Sequence, residues 1–314
     1  KAAIKFLDKP SEEFEKFCKE NEEWLPEFAL FMALKDVHEG MQWSEWKEEY
    51  RNRDKEAIGQ AKSRYETEIN LWKVYQYLFF KQWRELKKYA NDRDIQIIGD
   101  LPIYVSLDSV DVWTHPELFQ LDENRIPIKV AGCPPDAFSD DGQLWGNPLY
   151  NWDYMEQTDF QWWINRIQYI CKVYDVLRID HFRGFDSYYA IPYGEPTAKN
   201  GVWKKGPGMK LFNKVEETIG RQHIIAEDLG YLTKSVREML KESGFPGMKV
   251  LEFAFNSNAV GENEYLPHNF TENCVAYAGT HDNNTIEGWF EEISEDDAEY
   301  ARDYLRLTEQ NQSW

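Results

Sequence analysis

The sequence predicts an α/β fold of the (β/α)8 TIM-barrel type, carrying long inserted loops and a helical subdomain. Three observations predict it. Short β-branched runs alternate with helical stretches from residue 95 onward, and strand–helix alternation builds a mainly parallel sheet. Three of those runs close in polar residues, at Asp180, at Glu227 and at Thr280-His281-Asp282; a barrel gathers such strand ends on one rim. The first 94 residues read as helix instead. Residues 1–94 are therefore expected to form a helical subdomain and a barrel helix, and residues 95–314 the barrel portion that bears the site.

Ser11 suits an N-cap, with Phe14 and Phe17 on one face of the helix it starts, and a second apolar helix follows Pro26. Residues 41–54 alternate Trp43, Trp46 and Tyr50 with charge, as a surface segment with buried rings would. From Ala57 to about Ala90 the pattern is one long helix, and Trp72, Tyr75, Phe79, Trp83 and Leu86, spaced by three and four, are expected to face the core. Ile95 to Val105 is the first strand signal. Pro102 stops it, which leaves Asp100 and Tyr104 near a rim; Asp100 reads equally as a turn carboxylate accepting backbone N–H bonds.

Residues 108–153 show few periodic signals and hold Pro134-Pro135-Asp136 and the run Gly142 to Tyr150 with Trp145 and Asn147. A long aromatic-rich segment of this kind is expected to be a substrate loop. A helix at about 159–174 leads to the strand 173–179. A second loop, 188–209, carries Gly194, Gly201, Gly206 and Gly208 and reads as a mobile lid or a plain surface loop. The strand ending at Glu227 follows, then a helix at 233–243, strands at 247–255 and from Cys274, and an acidic helix at about 294–307.

Composition narrows the chemistry. There are 36 Lys and Arg against 56 Asp and Glu, a net charge of −20, which argues against nucleic acid or an anionic membrane as partner. A neutral ligand fits better. Aromatic residues make up 16 % of the chain, and flat rings with polar edges grip the CH face of a sugar as well as they fill cores. Cys18, Cys133, Cys171 and Cys274 are scattered, without CxxC or ligating His spacing, so neither a metal site nor a disulfide framework is expected. No cofactor is implied. With no apolar run of about 18 residues and no signal-peptide pattern ahead of it, the chain is expected to be cytoplasmic.

Asp180 ends an apolar strand, and Arg178, two residues back, shares its face. That pairing alone reads equally as a structural ion pair. A barrel rim changes the balance, because it also brings in Glu227 and Asp282. Three acids without metal ligands, a Ser/His relay or a phosphate-cradling loop suit chemistry at an acetal carbon, one carboxylate attacking while a protonated one serves the leaving oxygen. Arg178 should keep Asp180 ionised as nucleophile; Glu227, beside Asp228 and Ile225, should have a raised pKa as acid/base. Asp282, next to His281, is then left to bond sugar hydroxyls.

The motifs Arg-Ile-Asp-His-Phe-Arg-Gly at 178–184, Ala-Glu-Asp-Leu-Gly at 226–230 and Gly-Thr-His-Asp-Asn at 279–283 resemble those of the amylomaltases, the 4-α-glucanotransferases of glycoside hydrolase family 77. Gly-Asp-Leu-Pro-Ile-Tyr-Val at 99–105 and the 134–150 segment add to the resemblance. It implies transfer of α-1,4-glucan segments between maltooligosaccharides, with Asp180 as nucleophile, Glu227 as acid/base and Asp282 as transition-state stabiliser. It also implies active-site positions for Arg178 and His281, and substrate contacts by Tyr104, Asp100, Asp136, Trp145, Asn147 and Asn283. Similar proteins carry about two further barrel strands before this region and one after it, so a closed barrel is not expected from these residues alone. An α-glucan hydrolase and a noncatalytic glucan-binding fragment are the competing readings.

Overall fold

A computed structural model describes residues 2–135, 139–230, 232–257 and 263–308. The helical part comprises α1 (Ala2–Leu7), α2 (Glu12–Glu20), α3 (Leu25–Val37), α4 (Glu48–Arg51), α5 (Lys55–Arg64) and α6 (Glu66–Asn91). Ser11 caps α2 by accepting the Phe14 N–H, and Phe14 and Phe17 pack on Tyr77 of α6. The long helix expected from residue 57 is two helices, broken at Tyr65. A second expectation is corrected on α6. Its buried stripe is Ile69, Val74 and Tyr77, turned to α1–α3, whereas Tyr75, Phe79 and Leu86 are exposed on the side the helical period sets away from those helices.

Next come β1 (Ile98–Leu101), α7 (Val110–Thr114), β2 (Lys129–Cys133), β3 (Gln143–Pro148), α8 (Trp152–Gln157), α9 (Gln161–Val173), β4 (Val176–Ile179), β5 (Ser187–Pro192) and β6 (Val202–Lys205). The chain goes on through α10 (Met209–Ile219), β7 (Ile224–Ala226), α11 (Lys234–Ser243), β8 (Gly247–Val250), β9 (Cys274–Tyr277), α12 (Ile286–Glu292) and α13 (Glu295–Leu305). The protein is thus mixed α/β, built on open sheets. β1, β4 and β7 are parallel, in that order. β8 and β9 form a second parallel pair, and the Ala226 N–H donates to the Pro246 carbonyl at 2.9 Å where the two sheets meet.

The stretches read as irregular loops hold the remaining sheet. β3-β2-β5-β6 is antiparallel and draws its strands from 129–148 and 187–205. Gly132 is obligatory within it, since a Cβ there would lie 2.1 Å from the Gln143 carbonyl oxygen. One apolar core joins the helical part to the parallel strands, from Leu30, Leu34 and Trp43 through Trp113 and Trp163 to Leu177, Ile179 and Ala226.

Candidate active site

The parallel sheet places its charged residues as strand alternation requires. Arg178 lies opposite Asp100 in the β1–β4 register. Its Nη1 meets Asp100 Oδ1 at 2.6 Å and Asp180 Oδ1 at 3.0 Å, while Nε points to Met248 Sδ at 3.3 Å. The guanidinium is buried, and two carboxylates offset its loss of hydration. Asp180 follows β4, its backbone N–H bound to the Leu101 carbonyl. Burial raises its pKa, Arg178 works against that, and the charges of Asp100 and Asp282 add to it. Arg178 thus acts on Asp180 in the direction read from the sequence, toward the ionised form, against burial and the neighbouring carboxylates.

Glu227 leaves β7 beside it. Oε2 accepts the His181 N–H at 2.8 Å and Oε1 accepts the Leu229 N–H at 2.7 Å, so neither oxygen is free to swing. Burial pushes its pKa up to about 7; the Leu229 N–H opposes this, and the charge of Asp180 adds to it. The direction matches the sequence reading, and so does the apolar surrounding as its main cause; the charge that adds to it is that of Asp180 and not of Asp228. Asp228 faces the other way, its Oδ1 accepting the Met248 N–H at 2.6 Å and tying the loop to β8.

His181 was missed. It takes the left-handed conformation, φ 50° and ψ 50°, which turns its N–H onto Glu227 and its ring edge-on to Trp145, centroids 4.9 Å apart. Burial lowers its pKa to about 4, so the ring is neutral at pH 7. Trp145, on β3, is partly exposed and tilts toward Tyr104 at 6.2 Å; Tyr104 is buried. Asn147 donates Nδ2 to the Val105 carbonyl at 2.9 Å, pinning β3 over the segment after β1. This wall stands directly on the segment that carries Asp180.

Asp282 sits apart in support, on the turn after β9. Asn283 Oδ1 accepts both the backbone N–H and the hydroxyl of Thr280 at 2.9 Å, so Asn283 shapes the turn. His281 and Asp282 stand out from it, 69 % and 73 % exposed, with Nε2 and Oδ1 3.3 Å apart. Asp282 nevertheless lies close enough to raise the pKa of Asp180. Asp136 lies outside the described residues. Among the others, the structure brings Asp100, Asp180 and Glu227 within electrostatic reach of Arg178, and Asp282 within reach of Asp180, with Trp145 and Tyr104 at one side.

The fold and this cluster define an α/β protein with carboxylates gathered at the carboxyl ends of parallel strands and a raised-pKa acid among them. The family model for 4-alpha-glucanotransferase, glycoside hydrolase family 77, matches residues 1–314, and the chain belongs to that family. It is 52 % identical over 312 residues to a 4-alpha-glucanotransferase of Clostridium butyricum, spanning 99 % of this chain and 64 % of that one. With the 4-alpha-glucanotransferase of Aquifex aeolicus it shares 48 % over 291 residues, 93 % of this chain and 59 % of the relative. The amylomaltase of Streptococcus agalactiae, solved in complex with acarbose, superposes with a TM-score of 0.91 at 49 % identity, covering 94 % of this chain and 60 % of that one. The chain thus spans about three-fifths of the length of these relatives.

Proposed function

We propose that the protein carrying these residues is a retaining 4-α-glucanotransferase, which moves α-1,4-glucan segments to the 4-hydroxyl of another glucan or of glucose. The observation that carries the reading is the pair Asp180 and Glu227. One carboxyl sits against a cation, and the other, desolvated to a pKa of about 7, is held by two backbone N–H groups. Such a split in environment assigns nucleophile and acid/base. Ionised Asp180 attacks the anomeric carbon and forms a glycosyl ester while Glu227 gives its proton to the departing oxygen. Glu227 then takes the proton of the acceptor hydroxyl as the ester is displaced. Asp282 bonds sugar hydroxyls as positive charge develops on the ring, and Arg178 steadies Asp180 and Asp100.

In this reading β1, β4, β7, β8 and β9 are five strands of a (β/α)8 barrel, and the site lies at its carboxyl-terminal rim. Maltooligosaccharides are the substrates, which a neutral ligand in a chain of net charge −20 allows. Water is the competing acceptor. The partly exposed ring of Trp145, backed by Tyr104 and His181, offers apolar surface on which a second sugar can lie beside the ester and keep water away. Among the described residues no disulfide joins Cys18, Cys133, Cys171 and Cys274, and no helix is long and apolar enough to cross a membrane. The test is the intact protein with maltotriose. Total reducing ends should stay constant while chain lengths spread; reducing ends rising in step with maltotriose consumption would show a hydrolase instead.

A further inference from the structure

The turn that follows β7 is bonded at three neighbouring residues. Glu227 Oε1 accepts the Leu229 N–H at 2.7 Å, Asp228 Oδ1 accepts the Met248 N–H at 2.6 Å, and the Gly230 N–H donates to the Tyr265 hydroxyl at 3.3 Å. The last of these bonds comes from a loop 35 residues on. Leu229 thus stands between two anchored residues, Asp228 on β8 and Gly230 on Tyr265, and this directs its own N–H at Glu227. Among the described residues, only the Tyr265 hydroxyl bonds the Gly230 N–H.

Tyr265 lies in a loop, yet its surroundings fix it closely. Beside it, Glu264 Oε2 is 2.8 Å from Lys249 Nζ and Oε1 is 3.0 Å from Arg237 Nη2, so one carboxylate straps the loop to β8 and to α11. Burial would raise the pKa of Glu264, and the two cations outweigh it and hold the carboxyl below its ordinary value. Asn263 Nδ2 donates to the Phe253 and Ala254 carbonyls at 3.2 and 2.9 Å, while its Oδ1 accepts the Tyr265 N–H at 2.9 Å. The Tyr265 ring meets Phe253 edge-on at 5.5 Å, and the ammonium of buried Lys249 stands 5.2 Å from its centre. Burial pushes the phenol up to about 12, so it stays neutral and puts no charge within reach of Glu227. A strap of this strength ends in one hydroxyl on one amide.

We propose that Tyr265 is a positioning residue for Glu227: braced by Glu264, it anchors Gly230 so that the Leu229 N–H keeps the carboxyl aimed at the departing oxygen. The inference rests on the acid/base role of Glu227 given above. Tyr265→Phe tests it in the intact protein, because it removes one oxygen and keeps the ring against Phe253 and Lys249. Its circular dichroism spectrum should match wild type. With maltotriose, kcat should fall about tenfold, since misplacing a reacting group by about 1 Å can cost up to about 100-fold, while KM changes by less than about twofold. Glu227→Gln, alone and combined with Tyr265→Phe, completes a double-mutant cycle. In the Glu227→Gln background no proton is left to place, so Tyr265→Phe should change the residual rate by less than about twofold. A kcat for Tyr265→Phe within about twofold of wild type, a loss carried by KM, or an equal loss in both backgrounds overturns the positioning role. Glu227→Gln with wild-type turnover would overturn the acid/base reading itself, and the inference with it, whatever Tyr265→Phe does.

Discussion

The backbone N–H of His181 donates to Oε2 of Glu227 at 2.8 Å, so the residue that follows one candidate catalytic carboxylate holds the other in place. Asp180 and Glu227 are joined through one peptide unit. Removing the charge of Asp180 while keeping its volume therefore isolates its chemical role. Asp180→Asn in the intact protein should cost on the order of 10⁴ or more in kcat with an unchanged circular dichroism spectrum; a residual rate above a tenth of wild type would refute the nucleophile assignment.

The two carboxyls also set the pH dependence. If turnover needs Asp180 ionised and Glu227 protonated in the free enzyme, kcat/KM should be bell-shaped. Its upper limb should fall near the pKa of about 7 at Glu227, and its lower limb above the ordinary Asp value of 3.8. These limbs belong to the interacting pair. Replacing Arg178 by Met removes the cation 3.0 Å from Asp180, so the lower limb should move up, by about one unit or more. Both profiles are read from initial rates between pH 4 and 9.

Stability carries the same signature with a definite sign. The Glu227 carboxyl is raised from 4.5 to about 7 on folding, so between those values the native state binds more protons than the unfolded chain, and this group costs stability as pH rises through that window. Glu227→Gln removes the cost. Urea titration at pH 8 should find the variant more stable than wild type by on the order of 1 kcal/mol, and the difference should vanish near pH 4.

A prediction on the fold concerns β1. A Cβ at Gly99 would lie 2.0 Å from Cδ2 of Tyr174, whose ring is held edge-on by Trp83 at 5.5 Å. The ring has no easy retreat. Gly99→Ala should destabilise the protein by about 1–3 kcal/mol, measured as a lower urea midpoint, through displacement of β1 from β4.

A further test concerns Trp145 and the choice of acceptor. If its ring shields the ester from water, Trp145→Ala should raise the fraction of turnovers that release a new reducing end from maltotriose severalfold, while total consumption changes less. An unchanged ratio would remove Trp145 from acceptor selection.

The parallel strands and their charged ends were legible because period-2 alternation and an abrupt change from apolar to charged leave a local trace, as at Leu177 to Asp180. The antiparallel sheet left none. Its strands contain Gly132, Gly146 and Pro148, and its pairing joins residues as distant as Lys129 and Pro192, so no short window shows it. His181 escaped for a related reason: a left-handed backbone at a non-glycine residue has no composition signal, although the residue lies inside the motif that singled out Asp180. The apolar spacing on α6 is real, but spacing cannot say which of two apolar stripes meets the neighbouring helices. Tyr75 and Phe79 are on the exposed one.

The two amides that hold Glu227 can also serve as a clock. The His181 and Leu229 N–H protons are engaged by carboxylate oxygens and not by a strand or helix partner, so the bonds that shield them from solvent deuterium break when the Glu227 side chain lets go. Their exchange rates, resolved residue by residue, would report how often that carboxyl departs from its working position. If both slow together on adding a glucan, the ligand tightens the hold on Glu227; if His181 alone slows, only the Asp180 side of the cleft has closed.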